Sequence, residues 1–315
     1  MTTRTASAEW KRAHRKRQII KHLPFYAFLI LPVVQVIVFN YLPMYGIQIA
    51  FKRFIMRRGI TGSPWIGFEH FEKMFTDPVF YSVLYNTLRL SSLLLIVLFP
   101  LTIIFALMMN EIRNGMFKKV SQTITYLPHF LSWVVVGQFV YQLLSPTHGI
   151  VNTLLVNTGM LSMPRYFMIE KESFTTIFLT ANVWKDLGWS IILYLAAIAA
   201  IDPSLYEAAV IDGANRFRKV LHITLPSILP IISTMLILRL GTLLNVSFDA
   251  ILNLYNQGTR EVADVISTYV YRRGLVDSKY DYTTAIGLFQ NVVGIALVLT
   301  GNWLSRKADP NFRVM

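Results

Sequence analysis

The 315-residue chain contains no cysteine, which excludes disulfides and thiolate metal sites. Charge is scarce as well. Only 15% of the residues are charged, 17 acidic against 30 basic, while 54% are apolar, a balance too greasy for a soluble domain of this length. The bilayer must be its solvent. Also missing are the G-x-x-x-x-G-K-[ST] phosphate loop and the H-E-x-x-H, G-x-S-x-G and G-x-G-x-x-G patterns, and the six histidines (His14, His22, His70, His129, His148, His222) do not cluster at ligand spacing. An enzyme is therefore not expected, nor a metal or cofactor held by this chain. The net charge of +13 is spread over both expected membrane faces without a recognition motif, so nucleic acid is not an expected partner. Anionic lipid headgroups suit the basic stretch from Lys11 to Lys21 better.

What is present is a series of long apolar windows. Residues 23–43, 87–109, 123–144, 225–247 and 282–304 are free or nearly free of charge over the ~20 residues that a membrane helix needs. A sixth window, 174–201, contains Lys185-Asp186; Lys185 lies ~24 Å along a helix from Ile201, towards the far interface. The expected fold is all-α, a polytopic membrane protein with six transmembrane helices. Residues 1–22 form a basic tail, 23–304 the membrane domain and 305–315 a second tail. An even number of spans puts both termini on one side. Lysine and arginine number 16 on the tails and their loops against 11 on the longer opposite loops, which makes the termini cytoplasmic. The apolar run after Lys21 ends at Asn40-Tyr41-Leu42-Pro43 without a small-x-small cleavage site, so it reads as an uncleaved first span.

Between the fourth and fifth windows lies a polar gap, 202–226. Asp202 suits a helix cap and Pro203 the first helical position, where a missing N–H costs nothing. Ala208 and Ala209 give that helix a shallow face for close docking, and Gly213 can take the positive φ that ends it. Asn215 then caps a second short helix, and Pro226 and Pro230 enter the next span. The predicted shape is an L-shaped elbow. Its pattern, E-A-A-x3-G-x9-I-x-L-P, is carried by Glu207, Ala208, Ala209, Gly213, Ile223, Leu225 and Pro226, with Asp212 inside it.

That pattern resembles the cytoplasmic coupling loop of ABC importer permeases. Tyr126-Leu127-Pro128, the stretch from Leu143 to Asn152, Phe248-Asp249-Ala250-Ile251 and the stretch from Ala263 to Arg272 are similar to the sugar-importer branch typified by the maltose transporter. Trp184, Ile251 to Asn256, and the end from Pro310 to Met315 most resemble permeases for complex polysaccharide fragments. The resemblance implies a prokaryotic cell (inner) membrane location and alternating access. It also implies a second homologous permease subunit, two cytoplasmic ATPase subunits that bind ATP and Mg, an extracytoplasmic solute-binding protein, and an oligosaccharide as substrate.

A sugar has hydroxyls and apolar C–H faces, so its passage needs amides or carboxylates beside flat aromatic rings in a wet cavity. Asn182, Trp184, Lys185, Asp186 and Trp189 in the fourth span, Asn245, Asp249 and Asn253 after the fifth, and Gln290 and Asn291 in the sixth offer that mixture. Each amide serves equally well as a helix-to-helix hydrogen bond. Lys185 and Asp186 point apart on a helix and need separate partners, with Arg239 a candidate ion pair for Asp186 and His129 a packing or hydrogen-bonding residue. Arg260, Arg272 and Arg273 suggest a positive field that favours an acidic oligosaccharide. The competing reading is an ion-coupled secondary transporter of a small polar solute, which calls for a buried acidic site near the midplane and inverted repeats; neither is visible.

Overall fold

A computed structural model describes residues 21, 22, 25, 26 and 28–308. The basic stretch from Lys11 and most of the 1–22 tail lie outside the described residues, as do residues 309–315 with the Pro310 to Met315 signature. Among the described residues every regular element is helical, apart from one isolated antiparallel bridge between Lys52 and Trp65. The chain divides into two compact units, one ending at Phe68 and the other starting at Glu69.

In the first unit a single apolar helix, α1 (Phe28–Phe51), is long enough to cross a membrane and has none of its apolar window buried within the protein. Its hydrogen bonding changes at Leu42-Pro43, from a π turn over Ile37–Tyr41 to a 3-10 stretch over Leu42–Phe51. A proline has no N–H to give and its ring pushes on the carbonyl four residues back, so the ladder must widen or slip there. The following loop closes on itself. The Lys52 ammonium donates to the Ile60 carbonyl at 2.7 Å and lies 4.6 Å from the Trp65 ring centre.

The second unit holds α2 (Glu69–Thr76), α3 (Pro78–Asn110), α4 (Gly115–Tyr126), α5 (Trp133–Leu143), α6 (Ile150–Asn157) and α7 (Lys171–Ala199). The elbow helix α8 (Pro203–Ile211) follows, then α9 (Arg216–Gly241), α10 (Phe248–Leu254), α11 (Arg260–Ala263), α12 (Ile266–Tyr271) and α13 (Tyr280–Ala308). α3 begins nine residues before the expected window. Asp77 caps it through the Val79 N–H at 2.9 Å, and Pro78 takes the first position. α9 similarly starts at Arg216, because a π turn at Val220–Thr224 absorbs the constraint of Pro226 and lets the helix run on.

Among the described residues, α1, α3, α9 and α13 are each long and apolar enough to span a membrane, and α7 reaches that measure only when taken together with α8, which is bent 70° from it. The window at 123–144 departs from the single helix expected there. It is split into α4, a 3-10 turn at Leu127–Phe130, an extended Leu131, and α5 capped by Ser132. Pro128 and the Ser132 hydroxyl, which accepts from the Val135 N–H at 3.4 Å, together start a new helix in mid-course.

Helices that meet in a bilayer gain little from hydrophobic burial and rely on close packing of small residues. Gly241 and Gly294 supply this between α9 and α13, and Gly188 supplies it between α7 and α4. A Cβ on Gly188 would stand 2.1 Å from the Thr125 carbonyl oxygen. At the end away from the elbow, the segment 260–271 hangs on the first turns of α3. Asn86 donates to the Glu261 and Asp264 carbonyls, Arg89 to the Val262 carbonyl, and the Ile266 N–H to Thr87.

Gly188→Ala should therefore force α7 off α4 and destabilise the protein by about 1–3 kcal/mol, the usual cost of overpacking. Gly287→Ala, on a helix with nothing within 4 Å of the added atom, is the control. Thermal unfolding in detergent micelles checks the pair. Equal melting temperatures would refute the close approach.

Candidate functional site

A cavity of about 520 Å³ lies among α3, the 127–130 turn, α7, α9 and the segment after it. The α7 wall follows from helical spacing: Phe178, Asn182, Asp186, Trp189, Ser190 and Leu193 recur three or four residues apart on one stripe. α3 contributes Ser91 and Thr102 among leucines, and α9 contributes Met235 and Arg239. The wall mixes hydroxyls, amides, aromatic rings and charges.

The break in the third window meets the charged middle of α7. Lys185 lies fourteen residues from Lys171 and fourteen from Ala199, at the midpoint of its helix, and is buried. A charge there costs several kcal/mol unless it is satisfied. Its ammonium donates to the His129 carbonyl at 2.6 Å and faces the Trp133 ring at 5.8 Å. In an unbroken helix the His129 carbonyl would accept from the N–H four residues on, so the break frees the acceptor that Lys185 needs. Asp186, pointing elsewhere, reaches the same residue through the ring: its Oδ1 is 2.9 Å from His129 Nδ1. Trp189 then stacks on the imidazole with centroids 4.5 Å apart and planes 5° from parallel. The Asp186–Arg239 pair is thus not formed. Arg239 has no carboxylate within ion-pair distance among the described residues.

Of the polar residues predicted to line a passage, the structure brings Asn182, Asp186, Trp189 and Asn245 to the cavity wall. The others lie elsewhere. Trp184 is half exposed on another face of α7, and Lys185 is buried behind the wall. Asp249 and Asn253 lie on α10, where the Asn253 amide donates to the Asp249 carbonyl and the backbone packs on Gly137 of α5. Gln290 ties α13 to the Leu244 carbonyl at 2.9 Å, and Asn291 is exposed away from the cavity. The arginines expected to set up a positive field are each drawn onto a carboxylate, with Arg260 and Arg272 sharing one. Arg272 grips Asp264 with two nitrogens, Arg260 lies 3.9 Å from the same carboxylate, and Arg273 pairs with Asp277. Sequence reasoning passed over the cavity roles of His129 and Arg239. The Leu127-Pro128 dipeptide followed by Ser132 was the signal for the first, since it marks a helix restart.

The elbow has the predicted caps and turn, but the second short helix expected after Asn215 is not separate: it is the start of α9, which runs on through a π turn to Gly241. The Asp202 carboxylate accepts the Ser204 N–H at 2.9 Å and Pro203 opens α8, which turns 70° from α7. The Ser204 N–H, and next its hydroxyl, hold the Asp202 carboxyl below its ordinary pKa. Gly213 stands at φ +74°, while the Ala214 N–H closes the helix end on the Ala209 carbonyl at 2.8 Å. An L-residue at that φ would cost roughly 1–2 kcal/mol. Asn215 caps the start of α9 through the Arg218 N–H at 2.9 Å. α8 buries no residue: Glu207 and Ala208 are exposed, Ala209 is half-buried, Asp212 ends the helix, and Ile211 is 87% exposed. Ile223, Leu225 and Pro226 fall within the first turns of α9, and the Tyr206 hydroxyl lies 2.9 Å from the Thr224 hydroxyl, lacing the elbow to α9. Among the described residues no three acidic or histidine side chains are placed to hold a metal.

Residues 98–314 match the profile of the family described as binding-protein-dependent transport system inner membrane component. The chain is 42% identical to the polygalacturonan/rhamnogalacturonan transport system permease protein YteP of Bacillus subtilis (strain 168), over 95% of this chain and 93% of that one. It is 40% identical to protein LplB of the same organism, over 90% and 89%. Among solved structures it superposes with a TM-score of 0.84 and 42% identity on a chain of a bacterial ABC transporter involved in the import of the acidic polysaccharide alginate, covering 94% of this chain and 99% of that one. A second structure of a bacterial alginate ABC transporter, in complex with an alginate pentasaccharide-bound periplasmic protein, gives a TM-score of 0.83 at 42% identity, over 93% and 97%.

The Asp202 cap is at full strength above the ordinary carboxylate pKa and is lost as the pH falls through the depressed one. Asp202→Ala should speed amide hydrogen exchange at Ser204 and Leu205 several-fold at neutral pH, and Asp202→Asn should change it little, because an amide oxygen caps as well. Identical exchange in all three proteins would show that the elbow helix does not depend on its cap.

Proposed function

The chain belongs to the family of binding-protein-dependent transport system inner membrane components, and from that membership we propose that it is one of two homologous permease subunits of an ATP-driven oligosaccharide importer in a prokaryotic cell membrane. A solute-binding protein outside delivers the sugar, and two cytoplasmic ATPase subunits, which bind ATP and Mg, drive the cycle. The observation that carries this is the elbow. A helix standing 70° off a long apolar helix, with no residue buried in its own chain and Leu205, Val210 and Ile211 turned outward, has the surface of a docked element. Exposed apolar side chains of that kind mark an interaction site.

The two helices that leave the elbow are those that carry the polar wall. α7 brings Asp186 about 24 Å from Asp202, and α9 brings Arg239 about 35 Å from Arg216. Closure of the ATPase pair moves the elbow as a rigid lever, and the cavity opens to one side and then the other. The substrate is an acidic, polysaccharide-derived oligosaccharide, in keeping with the alginate and polygalacturonan named for the similar proteins. An ion-coupled transporter would require an acidic group available to the passing ion. Asp186, the one carboxylate on the cavity wall, is held by His129 instead.

Gly213→Pro, or Glu207→Arg combined with Ala209→Trp, should leave membrane insertion intact and abolish the stimulation of ATP hydrolysis by loaded binding protein in the reconstituted complex. Undiminished stimulation in both variants would remove the elbow from the coupling path.

A further inference from the structure

We propose that Arg239 recognises a substrate carboxylate in the cavity, so that this side chain sets the preference for uronic-acid over neutral oligosaccharides; the inference rests on the oligosaccharide-importer reading above. Arg239 lies in the last turn of α9, lines the cavity and is exposed to it. At the far end Arg89 is held by the Val262 carbonyl and the other arginines by carboxylates. Arg165 pairs with Glu170, Arg260 and Arg272 with Asp264, and Arg273 with Asp277, whereas Arg239 has no carboxylate within 4.0 Å among the described residues. The only acid on the cavity wall, Asp186, is engaged by His129 Nδ1 at 2.9 Å. Behind that wall lies the second cation, Lys185, buried on the His129 carbonyl.

The cavity therefore presents one uncompensated guanidinium. A charge in a membrane-embedded wall is kept only where water or a partner satisfies it. Guanidinium offers a planar fork of donors matched to a carboxylate, and such paired, charge-assisted bonds are stronger and more directional than those of an ammonium. On the same cavity wall, Trp189 is half exposed and held flat by its stack on His129, which suits the C–H face of a sugar ring. Ser91, Ser190 and Thr242 line the same cavity. A fork for the carboxylate, a plate for the ring and hydroxyls for its neighbours form the chemistry of a uronate site. A cation in a last turn also opposes the helix dipole, but lysine serves that role equally well, so the conservative variant separates the two.

The test is equilibrium binding to the purified core transporter in nanodiscs, permeases and ATPases together without the binding protein. The probes are a labelled uronic-acid oligosaccharide and the same oligosaccharide with its carboxyls reduced to alcohols. The wild-type complex should prefer the uronate. Arg239→Gln should weaken uronate binding by about tenfold or more, the range for a lost charged hydrogen bond, and leave the reduced sugar within about twofold; Arg239→Lys should fall between. If Arg239→Gln weakens both sugars equally or neither, or if Arg239→Lys behaves as wild type, the recognition role is overturned. Should Arg239→Gln fail to assemble, Arg239→Lys alone decides, by whether the preference shrinks. A wild-type complex that binds both sugars without preference also overturns it, whereas one that binds neither sugar strikes at the importer reading itself.

Discussion

The polar architecture of the protein depends on one meeting place, where the broken third window touches the centre of α7. Lys185 and Asp186 are neighbours that point apart, yet both end on His129, one at its carbonyl and one at its ring. Neither half is affordable without the other. An unbroken helix would withhold the carbonyl, and a buried lysine without it would face the cost of an unpaired charge in hydrocarbon. The same contact fixes the imidazole, the imidazole fixes Trp189, and together they set one wall of the cavity. Gly188, one turn from Lys185, lets α4 approach closely enough for the turn that follows it to present His129.

Function follows from how that wall is attached. α7 runs without interruption from the cavity to the capped elbow, and α9 returns from the elbow to Arg239. In the proposed mechanism a displacement of α8 is carried along α7 and α9 to the wall of one cavity, and the Tyr206–Thr224 contact ties the two helices at their base. At the opposite end the segment 260–271 is bonded into the first turns of α3 and pins the rim. Rods joined at one end by an elbow and held at the other by a bonded rim have the mechanical form of a gate.

Much of this was legible in the sequence. The elbow was readable to the level of its caps, because Asp202, Gly213 and Asn215 act locally, through backbone groups within three residues. The apolar windows were readable because a bilayer demands length and composition and little else. What escaped was set by tertiary geometry. The 123–144 window looks uniformly apolar, and only Pro128 with Ser132 hints that it restarts. From sequence the candidate partner of Asp186 is Arg239, one helix away, whereas the break swings His129 into place first. The far-end arginines carry charge in the sequence, but in the fold they are tied to carboxylates next to them and do not face the cavity. Asp249, Asn253, Gln290 and Asn291 are polar residues of apolar helices that serve packing contacts or an exposed face instead of the cavity.

Because the chain has no native cysteine, a single Ser190→Cys on the α7 wall can report the access of the cavity directly. In the full reconstituted importer its reaction with a membrane-impermeant thiol reagent should be confined to one face of the membrane without nucleotide and switch to the other when the ATPases are trapped closed. A cysteine that stays reactive from the same face in both states would contradict the claim that elbow motion is transmitted to this cavity.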